Sequence, residues 1–302
     1  MRPVLTWLAV AALVACGSRT DLEPTGPRTD SGSPLPTVDA ARTVADANAR
    51  RDAFQATDAA PPRDAHATCN DGGPPVRAYL FDDDGVLYSY DTSNGTYEVL
   101  GTPECGGQGG AWTMTASREN AYIQYNDGSL YAVDLRTLAC SPTAFQTGQL
   151  GITYQFGMAV ADVAGVETFF VYGEAGDSSV PILAKSDLSS FVLTEVGEIQ
   201  PLPPQLTSAI NLSADALGHL YAFAPSGVLL QIDQATGSVL QDSSTGVRTD
   251  GTWAGLTSGD KVFLFVDGRV ASYDPATDAI TFNRSIDIDP IGAGSFLVCP
   301  DE

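Results

Sequence analysis

Three consecutive carboxylates, Asp82, Asp83 and Asp84, stand ahead of Gly85 in the stretch FDDDGVLYSYD. Hard cations take oxygen ligands, so such a run is a candidate calcium site. A calcium loop of the EF-hand kind carries its acids at alternating positions, and beyond Asp82 and Asp84 the next such place holds Val86. The competing reading is a hairpin turn, for which Asp-Gly is a strong local signal. A second acidic pair, Asp287 and Asp289 in SIDIDP, has the residue types of a glycosidase, but strand alternation puts both on one solvated face. Two histidines are present: His66 lies in a Pro- and Ala-rich segment, and His219 begins a strand, where a structural role is expected. The chain has no Gly-x-Ser-x-Gly elbow, phosphate loop or zincin helix, and its cysteines lack Cys-x-x-Cys spacing, so neither a catalytic residue nor a zinc site is assigned.

The N-terminus carries one basic residue, Arg2, an apolar run from Pro3 to Ala15, and then Cys16. The run is too short for a permanent membrane span and reads as an export signal over residues 1–15. Its LVAC ending resembles the lipobox of bacterial lipoproteins. That resemblance implies cleavage before Cys16 and acylation of this cysteine, several chains together giving stable anchoring. With Gly17 following, the expected location is the cell envelope, at the outer membrane.

Residues 16–67 are rich in Pro, Ala, Thr, Ser and Asp, with Phe54 as the single aromatic. They hold too little apolar surface to offset ordering entropy and read as a disordered tether, about 50 residues with a reach of roughly 40 Å. Residues 68–302 hold 8 basic against 29 acidic residues, a formal net charge of −21. A surface so acidic repels phosphate backbones and anionic headgroups, so nucleic acid is not an expected partner, and the membrane is reached only through the lipid.

Five stretches in residues 68–302 repeat one pattern, an apolar-alternating hairpin closed by Asp91, Asp134, Asp187, Asp233 and Asp274. These aspartates lie 43, 53, 46 and 41 residues apart, a spacing that suits one four-stranded propeller blade per repeat. Each unit reads as strands A to D, with a Gly turn between B and C and an Asp-capped turn between C and D. The first unit lacks an upstream A strand, whereas IGAGSFLVC (291–299) follows the last D strand with no hairpin after it. The expected fold is therefore all-β: a monomeric five-bladed β-propeller whose ring closes when the C-terminal strand joins the first blade. The pattern "LYAVD" or "LLQID" followed by a Thr-Gly turn resembles pyrroloquinoline-quinone-type and YVTN-type propeller repeats, which implies architecture and not activity. The tryptophans of quinone-binding blades are not repeated here, so no cofactor is expected.

Four cysteines beyond Cys16 allow three pairings, and an exported compartment favours disulfides. Cys69 with Cys299 would staple the ring closure, leaving Cys105 with Cys140, although the strand order puts these two near opposite faces. For recognition, Trp112 and Trp253 open matched A strands near the central channel, and Tyr154 and Phe156 lie in a D-to-A loop. Aromatic anchors in an acidic surface suit a saccharide or a cationic patch on an envelope or extracellular protein, with packing between blades as the alternative role for the tryptophans. The function expected is thus a binding or scaffold module. A propeller glycoside hydrolase or lyase is the alternative, since five-bladed propellers include such enzymes.

Overall fold

A computed structural model describes residues 77–152, 155–174, 176, 180–204, 206, 210–215 and 218–296. Cys16, the tether, Cys69, Tyr154 and Cys299 lie outside the described residues. Blade 1 contains β1 (Arg77–Asp82), β2 (Leu87–Asp91) and β3 (Tyr97–Gly101). Blade 2 is β4 (Ala111–Ala116), β5 (Asn120–Tyr125), β6 (Leu130–Asp134) and β7 (Cys140–Pro142). Blade 3 is β8 (Gly157–Val163), β9 (Val166–Glu174), β10 (Pro181–Asp187) and β11 (Thr194–Glu198). Blade 4 is β12 (Asn211–Ala214), β13 (His219–Phe223), β14 (Val228–Asp233) and β15 (Val239–Ser244), and blade 5 is β16 (Trp253–Ser258), β17 (Lys261–Val266), β18 (Arg269–Asp274) and β19 (Ala279–Ser285). The last strand, β20 (Pro290–Phe296), pairs antiparallel with β1, Tyr79 opposite Gly294. It completes blade 1 in the order β20-β1-β2-β3, so the expected ring closure is present.

The near-continuous apolar B strands follow from this stacking. Successive side chains of a strand point to opposite sides, and each blade is covered on both. Along β1, Ala78 and Leu80 pack with Ala254, Leu256 and Phe265 of blade 5, whereas Tyr79 and Phe81 pack with Met114, Ile123 and Tyr125 of blade 2. The same division recurs on β9, where Phe169 and Val171 serve the interface with blade 2, and Phe170 and Tyr172 the interface with blade 4. A one-residue register slip would exchange the two cores.

The closing aspartates act as the sequence implied. Asp134 Oδ1 accepts from the backbone nitrogens of Arg136 (2.9 Å) and Thr137 (2.8 Å), and Asp187 and Asp233 accept in the same way from the residues two and three further on. Asp91 and Asp274 each accept from the nitrogen two residues on. At Asp91 and Asp134 these bonds favour the ionised carboxylate, and the hydroxyls of Ser189 and Ser190 hold Asp187 well below the usual carboxylate range. Four residues after each Asp the chain turns left-handed, at Gly95, Leu138, Phe191, Gly237 and Asp278. An L-residue pays about 1–2 kcal/mol for that conformation. Leu138 and Phe191 are held there by packing, Phe191 between Tyr122 and Phe169.

Cys105 and Cys140 are disulfide-bonded, with their Cα atoms 5.4 Å apart. The expected obstacle, opposite faces, disappears because the loop after β3 descends between blades 1 and 2. A Cβ at Gly107 would fall 2.1 Å from the Tyr125 ring, and one at Gly106 2.9 Å from the Tyr131 hydroxyl, so the glycine-rich run permits this close approach. Closing 35 residues of chain contributes about 3–4 kcal/mol by loop entropy.

The inner strands approach most closely where β20 meets β4. A Cβ on Gly292 would lie 2.2 Å from the Met114 nitrogen, and one on Gly294 2.3 Å from the Ala116 nitrogen. Neither glycine is left-handed, so backbone proximity alone demands them. Replacing Gly294→Ala should therefore push β20 off β4 and destabilise the domain by about 1–3 kcal/mol, read as a lower denaturation midpoint in urea. An unchanged midpoint would refute this account of the closure.

Candidate binding site at the channel mouth

The D-to-A loops and B-to-C hairpins meet at one face of the ring, where the inner strands begin. A cavity of about 250 Å³ opens there, lined by Ala111, Trp112, Thr113, Asn126, Ile210, Asn211, Gly251, Thr252, Trp253 and Ile291. Trp112 and Trp253 are both half-buried and meet edge to face, ring centroids 5.9 Å apart and planes at 86°. They come from blades 2 and 5, so the pair reaches across the mouth past the inner strand of blade 1.

One residue past Trp112 and two past Trp253, the channel is bridged. Asn211, buried at the start of β12, donates from Nδ2 to Thr113 Oγ1 (3.0 Å) and accepts at Oδ1 from the Gly255 nitrogen (3.0 Å). A single amide thus joins blades 2, 4 and 5. Deeper still, Thr115 Oγ1 accepts from the Val160 nitrogen (3.2 Å), the Thr257 hydroxyl donates to the Ala214 carbonyl, and the Ser295 hydroxyl donates to the Thr257 carbonyl. Pairing these buried polar groups is what makes a polar axis tolerable inside the protein. The mouth is a blind cup with an aromatic wall and an amide floor.

At the rim, Asn126 donates to the Gly109 carbonyl (2.6 Å) and accepts from Gln155 Nε2 (3.1 Å), tying the blade 2 hairpin to both neighbouring loops. Sequence reasoning found the tryptophans but missed Asn126 and Asn211. The available signal was in the inner strands, where WTMTA and INLSA alternate hydroxyl or amide groups with apolar residues. Phe156, expected as a contact residue, is instead buried and packs on Phe145 at 5.3 Å. It precedes the buried start of β8, and apolar burial claims it for the core between blades 2 and 3.

The acidic run is turn chemistry. Asp82 is buried, its Oδ1 accepts from the Val86 nitrogen (2.8 Å) and its Oδ2 from the Tyr88 hydroxyl (2.6 Å), while Gly85 takes φ +81°. Asp83 and Asp84 are exposed, and among the described residues no group of three or more His, Cys, Asp or Glu side chains is arranged to hold a metal ion. Asp287 and Asp289 are also exposed, on either side of the buried Ile288, in the bend between β19 and β20 rather than on a strand.

No protein family and no curated relative matches the chain. Among solved structures it is similar to apo AztD from Citrobacter koseri, at 10% sequence identity and a TM-score of 0.41, over 74% of this chain and 98% of that chain.

His219 lies at the opposite end of blade 4, at the hairpin between β12 and β13. Its Nδ1 is 2.9 Å from Asp215 Oδ2, and that bond raises its pKa against the opposing effect of burial. A raised folded value means that the pair stabilises the fold fully below the unfolded value of about 6.5, and the contribution fades as pH rises through the folded value. The domain should thus resist urea better at pH 6 than at pH 8 through this pair, and His219→Gln should shrink the difference. Imidazole NMR should titrate above 6.5 and fall back in Asp215→Asn; a value at or below 6.5 in the parent chain would contradict the pairing.

Proposed function

We propose that this chain is an exported, lipid-anchored β-propeller that works by binding, not by turnover, and that its channel mouth captures a protein or saccharide partner in the cell envelope. The observation that carries the reading is the Trp112–Trp253 pair. Both rings line the cavity and are half-exposed there, Trp253 resting its other side on the core between blades 4 and 5. Aromatic side chains at such a position supply contact area with little entropy to lose. Loops on a rigid scaffold surround them, the usual setting for recognition.

The chemistry at hand supports binding over catalysis. The cavity is lined by aromatic, amide, hydroxyl and aliphatic groups, with no carboxylate or imidazole among its lining residues. The oriented histidine, His219, stands at the other end of its blade, and Asp287 and Asp289 are solvated surface acids. The lipobox at Cys16 supports the anchor, and the Pro- and Ala-rich segment behind it supports a domain standing off the membrane.

Two experiments test this reading. Cys16→Ser should move the chain out of the detergent phase in phase partitioning; retention there would refute the anchor. Trp253→Ala should leave the circular dichroism unchanged and reduce capture of envelope proteins or glycans in a pull-down at least about fivefold, the loss expected for an aromatic anchor. An unfolded variant would make Trp253 a core residue, and turnover of any glycan by the parent chain would overturn the binding-only reading.

A further inference from the structure

The cup's hydrogen-bonding inventory narrows what it can hold. Recognition of a neutral sugar needs several donors and acceptors aimed at hydroxyls. Here the Asn211 amide is engaged at both ends, by Thr113 and Gly255, and the Asn126 amide at both ends, by the Gly109 carbonyl and Gln155. Thr113 accepts from Asn211 as well. Beside the hydroxyls of Thr113 and Thr252, the cup offers π surface: two indoles at 86° form a corner with two walls, in a cavity of about 250 Å³.

Charge supplies the second observation. Three of the lining segments adjoin an exposed carboxylate in sequence: Asp127 next to Asn126, Asp250 next to Gly251, and Asp289 two residues before Ile291. A fourth, Asp267, accepts from the Thr249 hydroxyl at the same loop, and a Cβ on Gly251 would lie 2.6 Å from its Oδ1. The nearby basic side chains are Arg248, exposed in its loop, and Arg269 at the start of β18, which lies over the Phe282 ring. The cup is therefore uncharged in its lining and surrounded by negative potential. Aromatic faces attract cations through the ring quadrupole, best for indole, and a field of one sign concentrates the matching counter-charge.

We propose that the Trp112–Trp253 corner is a site for an alkylated ammonium group, a quaternary or methylated amine that needs no hydrogen bonds and carries one positive charge. This deepens the binding reading of the same mouth and rests on it. The group enters with its methyls against the two indoles, and the four aspartates act at longer range through the field.

Three tryptophans occur in the chain, and Trp7 lies in the leader, so Trp7→Phe leaves Trp112 and Trp253 as the only indoles. Titrating that chain with choline, and separately with tetramethylammonium, should shift both indole N–H resonances saturably. The affinity should weaken several-fold between about 0.02 and 0.3 M salt as the field is screened. Trp253→Ala should weaken binding, read by calorimetry, at least about fivefold, and Trp112→Phe, which keeps the packing, about twofold. If Trp253→Ala unfolds, Trp112→Phe and the salt series carry the test. Equal binding of the neutral isostere 3,3-dimethylbutanol would overturn the cation assignment. So would saturable shifts with chitin oligosaccharides and none with choline, an outcome that leaves the mouth as a binding site. No saturable shift with any of these probes would overturn both.

Discussion

Five inner strands converge on one axis, and the bulk each carries sets how near they come. Gly292 and Gly294 let β20 lie against the backbone of β4, and Gly157 lets β8 lie against the Ile210 carbonyl. That proximity brings Asn211 within reach of both Thr113 and Gly255, so one side chain spans the ring. It also brings Trp112 and Trp253 into edge contact across the mouth. A wider ring would separate the indoles and leave the Asn211 amide without partners. The small residues of β20 and β8 therefore determine both closure and the shape of the cup, although neither glycine of β20 has a side chain to contribute.

The blades were legible because each uses the same local physics. An Asp that accepts backbone N–H groups must come at the same place in every unit, and a B strand covered on both faces must be apolar throughout; both leave marks within a dozen residues of sequence. The orphan strand, β20 (Pro290–Phe296), was legible by subtraction, once the first unit lacked its A strand. The cup was only half legible. Trp112 and Trp253 announce themselves by type and matched position, but Asn211 gains its role from two strands 44 and 98 residues away, a pairing that no local pattern encodes. Phe156 shows the converse: its loop position suggested exposure, and long-range packing on Phe145 decided otherwise. Cys105 was placed on the wrong level because a loop's depth depends on the ring beneath it, here Tyr125 and Tyr131 receiving two bare glycines.

Charge and aromatic surface are divided between different layers of the molecule. Apart from the buried Asp82, the acids of the repeats and the mouth occupy turns and rims, where backbone N–H groups bond them, as at Asp91, Asp134 and Asp187. The indoles occupy the axis, where the rigid ring holds them without help from charge. The lining of the cavity between the indoles thus carries no carboxylate of its own, and the acidic field reaches it from the rims.

Because β20 completes blade 1, a strand read first waits for a strand read last. Synthesis runs from β1 to β20, so blades 2 to 5 have all their strands before the first blade has its inner one. Through that interval β1 presents an unpaired edge, and the strand it needs also exists, identical, on every neighbouring copy. Crowded nascent chains then have two ways to satisfy the same hydrogen bonds, within one molecule or between two.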